Sequence, residues 1–329
     1  MLLSQDEKQR YVRQMSLAEV GEQGQLLLKQ SRVLVVGAGG LAAGLLPNLV
    51  GSGIGYIRLY DADHVDISNL HRQTLYRMED VGQGKAFAAR QHLKQLNPHV
   101  NIEAHHEHIH SANIHAACAD IDIVVDAADR FATTYLLSDY CKTHQIPLVS
   151  ASVLLQKGYV GAFCGKDTPS YAAIFPHLPQ SATSCAISGV LPSTVAVIAS
   201  LQSHMVVNVI LGLQPSALGQ LIHLDLSCWH MQSFRFDHAP EPEPEDAVQW
   251  LDEHQIQPAD IVLDFRDPDE IKQPIAAQVQ YMHHNELENL NVDSNKRILC
   301  VCASGIRAAK AVNQLKKYGH QQLYILAAL

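Results

Sequence analysis

Residues 32–41, RVLVVGAGGL, constrain this chain more than any other stretch. A strand-length apolar run meets Gly37, Gly39 and Gly40 and passes directly into a helix-forming segment. Glycine lets the backbone turn tightly and approach a phosphate, and the first turn of the next helix offers unpaired N–H groups at its positive dipole end. Asp61 comes some ~20 residues later, the separation at which an acid meets ribose hydroxyls. Ala42 stands where the dinucleotide fingerprint has its third glycine. Taken alone, the turn suits a nicotinamide dehydrogenase as well as an enzyme that uses one nucleotide.

The surrounding pattern sets the fold class. Short β-branched runs, RVLVVG, YIRLY, VNIEA, DIVVDA and IPLVSAS, alternate with helix-length segments such as 84–96 and 131–144. Such alternation predicts an α/β, doubly wound, Rossmann-like and mostly parallel sheet with helices on both faces. Ligands of such sheets sit at the carboxyl ends of the strands. Four of those ends carry chemistry: Gly37–Gly40, Asp61, Asp126–Asp129 and Ser150–Ser152. Residues 237–246, DHAPEPEPED, alternate proline with acid and predict an extended, self-repelling linker. A large domain over 1–236 precedes it and a small one over 247–329 comes after. The apolar stretch GVLPSTVAVIASLQSHMVVNVILGL is broken by Pro192, Ser193, Gln202, His204 and Asn208, and it reads as a buried core helix and not a membrane span.

Composition excludes some partners. A formal net charge of −9 argues against a broad nucleic-acid or anionic-membrane surface. The polar opening MLLSQDEKQRYVRQ is no secretory signal, and seven scattered cysteines suit a reducing cytoplasm better than a disulfide frame.

The residues after Asp61 point away from hydride transfer. DISNLHRQ supplies Asn69, Arg72 and Gln73, GQGK adds Lys85 at a helix start, and DAADRFATTY places Asp126 and Asp129 at a strand end. Singly, each cation is an ordinary surface ion pair. Together, cations beside an anionic ligand and a carboxylate able to hold Mg²⁺ make a phosphoryl-type site. RYVRQ, GEQGQLLLKQSRVLVVGAGGL, DADHVDISNLHRQTLY, DVGQGKAFAARQHLKQLNPHV and DAADRFATTY closely resemble the MoeB/ThiF/HesA group, relatives of the ubiquitin-activating enzymes. The resemblance covers about residues 8–236. It implies ATP-dependent adenylation of the C-terminal Gly-Gly carboxylate of a small ubiquitin-like sulfur carrier, with release of pyrophosphate.

By that resemblance Gly37, Gly39 and Gly40 form the phosphate turn and Asp61 binds ribose. Ser68, Asn69, Leu70, His71 and Arg72, with Lys85, surround the triphosphate, and Asp129 holds Mg²⁺ with Arg130 beside it. Arg13 of RYVRQ corresponds to a finger that reaches the partner subunit's site, so a homodimer is implied. Arg130 stands where asparagine is common and Thr134 where arginine is common. The family also folds a structural zinc site from two Cys-x-x-Cys pairs, the first in a segment ending FP. Here SYAAIFP has Ser170 and Ala173 at the thiolate positions, and no cysteine occurs between Phe236 and Cys300, so no zinc is expected.

Two cysteines carry functional expectations. Cys185, in SATSCAISGV, matches a position at which ThiF-like enzymes bond covalently to the carrier. It precedes an apolar helix whose dipole would lower its pKa. ILCVCASGIRAAKAV reads as a strand, a loop from Cys302 to Arg307 and a helix, so inward N–H groups and Arg307 would stabilise a thiolate or persulfide at Cys302. With IVLDFRDPDEI upstream, this resembles a rhodanese domain over 247–329, a small α/β unit that would pass sulfur to the adenylated carrier. The expected histidine–proline–glycine turn is missing, Ala303 replaces a polar residue, and the chain stops at YILAAL. Cys118, Cys141, Cys164, Cys228 and Cys300 read as inert packing.

AHHEHIHSANIH offers His105, His106, His108, His110 and His115. His106, His108 and His110 would alternate on one strand face and read as a solvated edge, not a metal site. The implied protein is a cytoplasmic adenylyltransferase served by a persulfide donor such as a cysteine desulfurase, acting in molybdopterin, thiamine or related sulfur metabolism. Two rivals stay open: adenylation of a peptide or small carboxylate in natural-product or siderophore assembly, and a carrier-binding pseudoenzyme without turnover.

Overall fold

Val33 and Val35 point to one face of their strand and Leu34 and Val36 to the other, and all four are buried. A strand covered on both sides belongs at the centre of a sheet. The computed structural model describes residues 2–177, 189–243, 249–271, 274–290, 292–303 and 305–327. Three helices, α1 (Gln5–Arg10), α2 (Val12–Met15) and α3 (Gly21–Gln30), lead into β1 (Arg32–Val36). Next come α4 (Gly40–Ser52), β2 (Tyr56–Tyr60), α5 (Lys85–Leu96), β3 (Asn101–His105), α6 (Ile114–Ala117), β4 (Ile123–Asp126), α7 (Phe131–His144) and β5 (Leu148–Leu154). The large sheet then adds β6 (Lys157–Phe163), and after α8 (Tyr171–Ile174) and α9 (Pro192–Leu211) it closes with β7 (Gln220–Asp225) and β8 (His230–Arg235).

The strand order is β3-β2-β1-β4-β5-β6-β7-β8. The first five strands run parallel, joined by crossover connections that carry the helices. Strands β6 to β8 pair antiparallel and extend the sheet as a meander. Order reverses between β1 and β4, which opens a crevice above the carboxyl ends of those two strands. On one face α4, α5 and α9 bury Leu45, Leu49, Leu93 and Ile198 against Val33 and Val35. Helix α9 is long and apolar enough to cross a membrane, yet it lies on α4, β5 and β6. Gly44 makes that seat possible, since a Cβ there would stand 2.9 Å from Ala199 Cβ. The helix turns Val195, Ile198, Gln202 and Val206 inward and leaves Val197 exposed, so one of its faces is the core helix that its sequence suggests.

A second sheet takes β9 (Trp250–Leu251), β10 (Ile261–Asp264), β11 (Gln280–Tyr281), β12 (Ile298–Cys302) and β13 (Leu323–Ala327), with α10 (Ile306–Lys317) between the last two. All its strands are parallel, in the order β11-β10-β12-β13-β9. The opposite face of the large sheet, with Leu34, Val124, Tyr135, Leu137 and Phe163, continues without a break into Leu263, Phe265, Cys300 and Ala308 of the small one. The acidic stretch between the sheets is docked where it is described. Glu241 accepts from Ser170 N at 2.9 Å and Ser170 Oγ at 2.5 Å, and Lys142 Nζ lies 3.0 Å away. Paired with a cation and two donors, this acid is not part of a self-repelling tether.

Candidate active site

The turn after β1 is held from three sides. Gly37 N donates to Tyr60 O at 2.8 Å, and Tyr76 OH donates to Ala38 O at 2.7 Å. Gly37 has φ +98°, and a Cβ on it would meet Ala127 O at 2.6 Å, so no other residue fits. Gly39 caps α4 without a side chain, and Gly40 opens the helix with its N–H groups towards the crevice. Gln73 is buried under this turn, and its Oε1 has no partner among the described residues. An orphaned acceptor beside a glycine cradle fits a polar ligand such as a nucleotide.

The end of β2 supplies the next wall. Asp61 accepts from Ala38 N at 2.7 Å and from Asp63 N at 2.8 Å, so it ties the glycine turn to its own loop. Burial raises its pKa, and these bonds with the nearby Lys85 charge only partly oppose that. Lys85 begins α5 almost fully buried and pairs with Asp63 at 2.8 Å. For Asp63 burial also pushes upward, but the Lys85 hydrogen bond and charge outweigh it and hold the carboxyl below its usual range. Sequence reasoning missed Asp63. The signal was present in the DAD spacing, which sets a second acid beside the ribose acid.

Ser68 and Asn69 lie in a one-turn 3-10 helix capped by Asp66, with Leu70, His71 and Arg72 directly after it. Arg72 packs its stem near Gly40, about where a Cβ would lie 3.6 Å from Arg72 Cγ. Its Nη1 donates to Ser68 O at 3.3 Å and stands 2.8 Å from His71 Nε2. Neither partner is a carboxylate, so these contacts leave the guanidinium charge without an opposite charge.

Strand β4 ends in two acids of different character. Asp126 is buried and accepts from Thr134 Oγ1 and Ser150 Oγ, each at 2.8 Å. Burial pushes its pKa up to about 6, against the pull of those bonds. Thr134, the departure from a common arginine, thus serves a carboxyl that has neutral donors instead of a cation. Gln202 of α9 reaches beneath, donating to Asp126 O at 2.7 Å. Asp129, three residues past the end of β4, is exposed. Arg130, at the start of α7, feels Asp129, Asp63 and Glu253, while burial lowers its pKa. Arg13 is exposed on α2, where Gln14 beside it bonds Gln25 and Ser52.

The expected histidine strand is corrected. β3 ends at His105, so His106, His108 and His110 lie in a loop and do not alternate on a strand face. Nor do they form a solvated edge. His105 stacks on Tyr60 at 4.3 Å, His106 packs edge-on against His64 at 4.7 Å, and His110 lies 4.3 Å from His254 of the small sheet. His108 is half-buried, and burial with the Arg130 charge lowers its pKa. His115 is exposed and meets Tyr140 edge-on. No metal-binding group of three or more such side chains occurs among the described residues. Ser170 caps α8, its Oγ accepting from Ala173 N at 3.1 Å.

Cys302 ends β12, and its Sγ accepts from Gly305 N at 3.1 Å and Ala308 N at 3.3 Å. The inward N–H groups are therefore in place around the sulfur. Arg307, however, is taken by Asp267 at 2.8 Å and by Glu270. Asp264 and Arg266 pair at 2.8 Å beneath the loop, both buried. Cys185 and Ser304 lie outside the described residues. Cys118, Cys141, Cys164 and Cys300 are buried, and burial raises each thiol. Cys228 is corrected: it is exposed in the β7–β8 turn.

A glycine turn at a topological switch point, with the half-buried Asp61 and the buried Lys85 beside it, is the arrangement of a nucleotide site in the doubly wound class. Residues 11–246 match the ThiF family model and residues 243–328 a rhodanese-like domain model. The chain is 41% identical over 235 residues to adenylyltransferase and sulfurtransferase MOCS3 of Culex quinquefasciatus, covering 71% of this chain and 53% of that one. It is 39% identical over 232 residues to the sulfur carrier protein adenylyltransferase of Thermus thermophilus, covering 68% and 86%. Solved neighbours include PaaA, with TM-score 0.59 and 26% identity over 71% of this chain and 75% of that one. E. coli MccB superposes with TM-score 0.63 at 21% identity, over 73% and 74%. The chain belongs to the ThiF family and carries a rhodanese-like domain. It spans about half the length of the MOCS3 relatives it matches.

Proposed function

We propose that this protein adenylates the C-terminal glycine carboxylate of a ubiquitin-like sulfur carrier and that its rhodanese-like domain then supplies sulfur to make a thiocarboxylate. What supports the reading is the set of groups beside the glycine turn: Arg72 against Gly40, Lys85 held by Asp63 next to Asp61, and the exposed Asp129 after β4. In adenylation a carboxylate oxygen attacks the α-phosphorus of ATP and pyrophosphate leaves. Arg72 and Lys85 neutralise charge on the departing phosphates, and Asp61 meets the ribose. Asp129 is exposed and suits Mg²⁺, which keeps most of its water shell and takes one or two carboxylates. When bound, the ion neutralises phosphate charge. Arg13 is exposed on α2, which suits a finger directed at a second copy of the chain in a homodimer.

Cys302 would take sulfur from a protein persulfide, such as that of a cysteine desulfurase. Its persulfide then attacks the acyl carbon, AMP leaves, and a thiol reductant splits the acyl disulfide. Cys185 is a candidate for that thiol. Names of the relatives support the reading, including a sulfur carrier protein adenylyltransferase that this chain covers over most of its length. The peptide-carboxylate alternative is favoured by one observation, the fold shared with a microcin C7 biosynthetic enzyme, at 22% identity. A cytoplasmic location and molybdopterin or thiamine metabolism belong to the same reading. No structural zinc is expected, and one equivalent per chain by elemental analysis would refute that.

The deciding experiment incubates the chain with ATP, Mg²⁺ and small proteins ending in Gly-Gly, then weighs those proteins by mass spectrometry. Adenylate on the carrier, and thiocarboxylate once a persulfide donor is added, are expected. AMP release with peptides and never with a carrier would transfer the assignment to the alternative. Failure of AMP release with every acceptor would leave a carrier-binding pseudoenzyme.

A further inference from the structure

The proposed chemistry requires Cys302 to meet a donor, yet this side chain has no exposed surface. Trp250 lies on the turn that encloses it. Gly305 has φ +88°, and a Cβ there would come within 2.4 Å of Trp250 Cη2, so the indole rests directly on the backbone of the loop. The same indole stacks on Tyr135 of α7, with ring centroids 5.5 Å apart and planes inclined by 23°. Tyr135 is itself fixed, 3% exposed, with its hydroxyl donating to Phe175 O. Two residues on from Trp250, Asp252 accepts from Ser111 N, and His254 faces His110. The short segment 250–254 is therefore pinned to the large domain at both ends.

An unpaired donor sets this contact apart from ordinary packing. The Trp250 Nε1–H is buried and has no acceptor among the described residues. A buried donor without a partner is costly, and the cost is relieved as soon as the indole meets water. The docked arrangement therefore contains its own incentive to open. Lids and docked elements that gate chemistry are drawn from such low-stability contacts.

We infer that Trp250 is a latch: stacked on Tyr135 it holds the Cys302 loop shut, and the small domain must part from Tyr135 before the thiol can be loaded with sulfur. The inference rests on Cys302 as the sulfur-carrying residue. In the loading step the Cys302 thiolate attacks the outer sulfur of a donor persulfide. A new S–S bond forms, the donor's S–S bond breaks, and the donor leaves as a thiolate. That displacement needs an in-line approach, which a sulfur without accessible surface does not offer. Opening at the seam supplies the approach, and reclosing shields the persulfide from stray thiols until the adenylate is ready.

The full-length chain tests this by alkylation with iodoacetamide and peptide mass mapping. Exposed Cys228 serves as the fast reference, and Cys300, buried on the same strand, as the silent one. In the unmodified chain Cys302 should react at least ~10-fold more slowly than Cys228, because it reacts only through local opening. Trp250→Ala and Tyr135→Ala should each speed Cys302 by about 10-fold or more while Cys300 stays unmodified. Of the two tryptophans Trp229 is exposed and Trp250 half-buried, so Tyr135→Ala should also shift the emission towards the red. Fast reaction of Cys302 in the unmodified chain, or no acceleration in Tyr135→Ala, overturns the latch. Should Trp250→Ala expose Cys300 as well, Tyr135→Ala decides, since it leaves the small domain's own packing intact. Incubation of each protein with a protein persulfide separates this outcome from the sulfur assignment. An accelerated alkylation with no persulfide ever formed on Cys302 would keep the latch and remove the sulfur role.

Discussion

The nucleotide turn and the Cys302 loop use the same part, a strand ending in a tight glycine turn ahead of a helix, and the structure leaves them in opposite states. After β1, the turn at Gly37–Gly40 faces a crevice, with Gln73 Oε1 unpartnered among the described residues and Arg72 in contact with Ser68 O and the His71 ring, neither of them a carboxylate. After β12, the turn is filled: the Cys302 sulfur takes the inward N–H groups, Arg307 is spent on two carboxylates, and Trp250 covers Gly305. The backbone motif is the same anion-binding device in both places. What differs is whether the ligand comes from solution or from the chain. On the proposed reading, a site for a diffusing nucleotide is left unsatisfied, whereas a site for a covalent sulfur is satisfied in advance by its own thiol and would have to be opened.

The comparison breaks most sharply at the chemistry. Lys85→Ala should cut AMP formation by roughly 10²-fold or more, since it removes a charged group from the phosphates. Cys302→Ala should abolish sulfur transfer and leave AMP formation unchanged. Equal loss of both activities in Cys302→Ala would show that the two turns are one structural unit. A smaller effect separates the turns by what obstructs them. Gly37→Ala meets a backbone carbonyl at positive φ and should cost on the order of 2 kcal/mol or more of stability, measured by denaturant unfolding. Gly305→Ala meets a ring that can swing away, so its cost should be lower, and it should open the loop to alkylation.

A pH experiment sharpens the nucleotide side. Burial lifts Asp126 to about 6, so the folded protein binds a proton there that the unfolded chain has already released. Between about pH 4 and 6 that favours folding at the acid end, and stability from this group falls as pH rises through its folded pKa. The slope of stability against pH across that window should therefore be less negative in Asp126→Asn, and an unchanged slope would show that Asp126 does not titrate there. Smallest is Glu241→Ala, which frees Ser170 and Lys142 and should cost roughly 1 kcal/mol.

Local pattern carried much of this molecule. The five parallel strands were legible because each is a short apolar run between helix-length segments. Arg72, Lys85 and Asp129 could be singled out as candidates because they fall on one turn, one helix start and one strand end. The antiparallel extension was not. Its β5–β6 turn runs through Leu155 at φ +56°, without the glycine or asparagine that marks a hairpin, and all six residues of β8 are exposed, so no alternation betrays it. Asp63 was hidden because a surface-looking acid becomes significant only once Lys85 is buried against it. Trp250 was hidden for a different reason. Its partners Tyr135 and Gly305 lie far from it in the chain, and nothing local announces that an indole on a two-residue strand will lie on a turn of one domain while stacking on a helix of the other.

The central claim is that one crevice gathers Arg72, Lys85 and Asp129 around the triphosphate of ATP for transfer of AMP to a carrier. Carrier-dependent exchange of labelled pyrophosphate into ATP reads that step directly, before any sulfur chemistry. Robust exchange by the unmodified chain that drops by roughly two orders of magnitude in Asp129→Ala is the expected result. Exchange that survives Asp129→Ala undiminished would contradict the account.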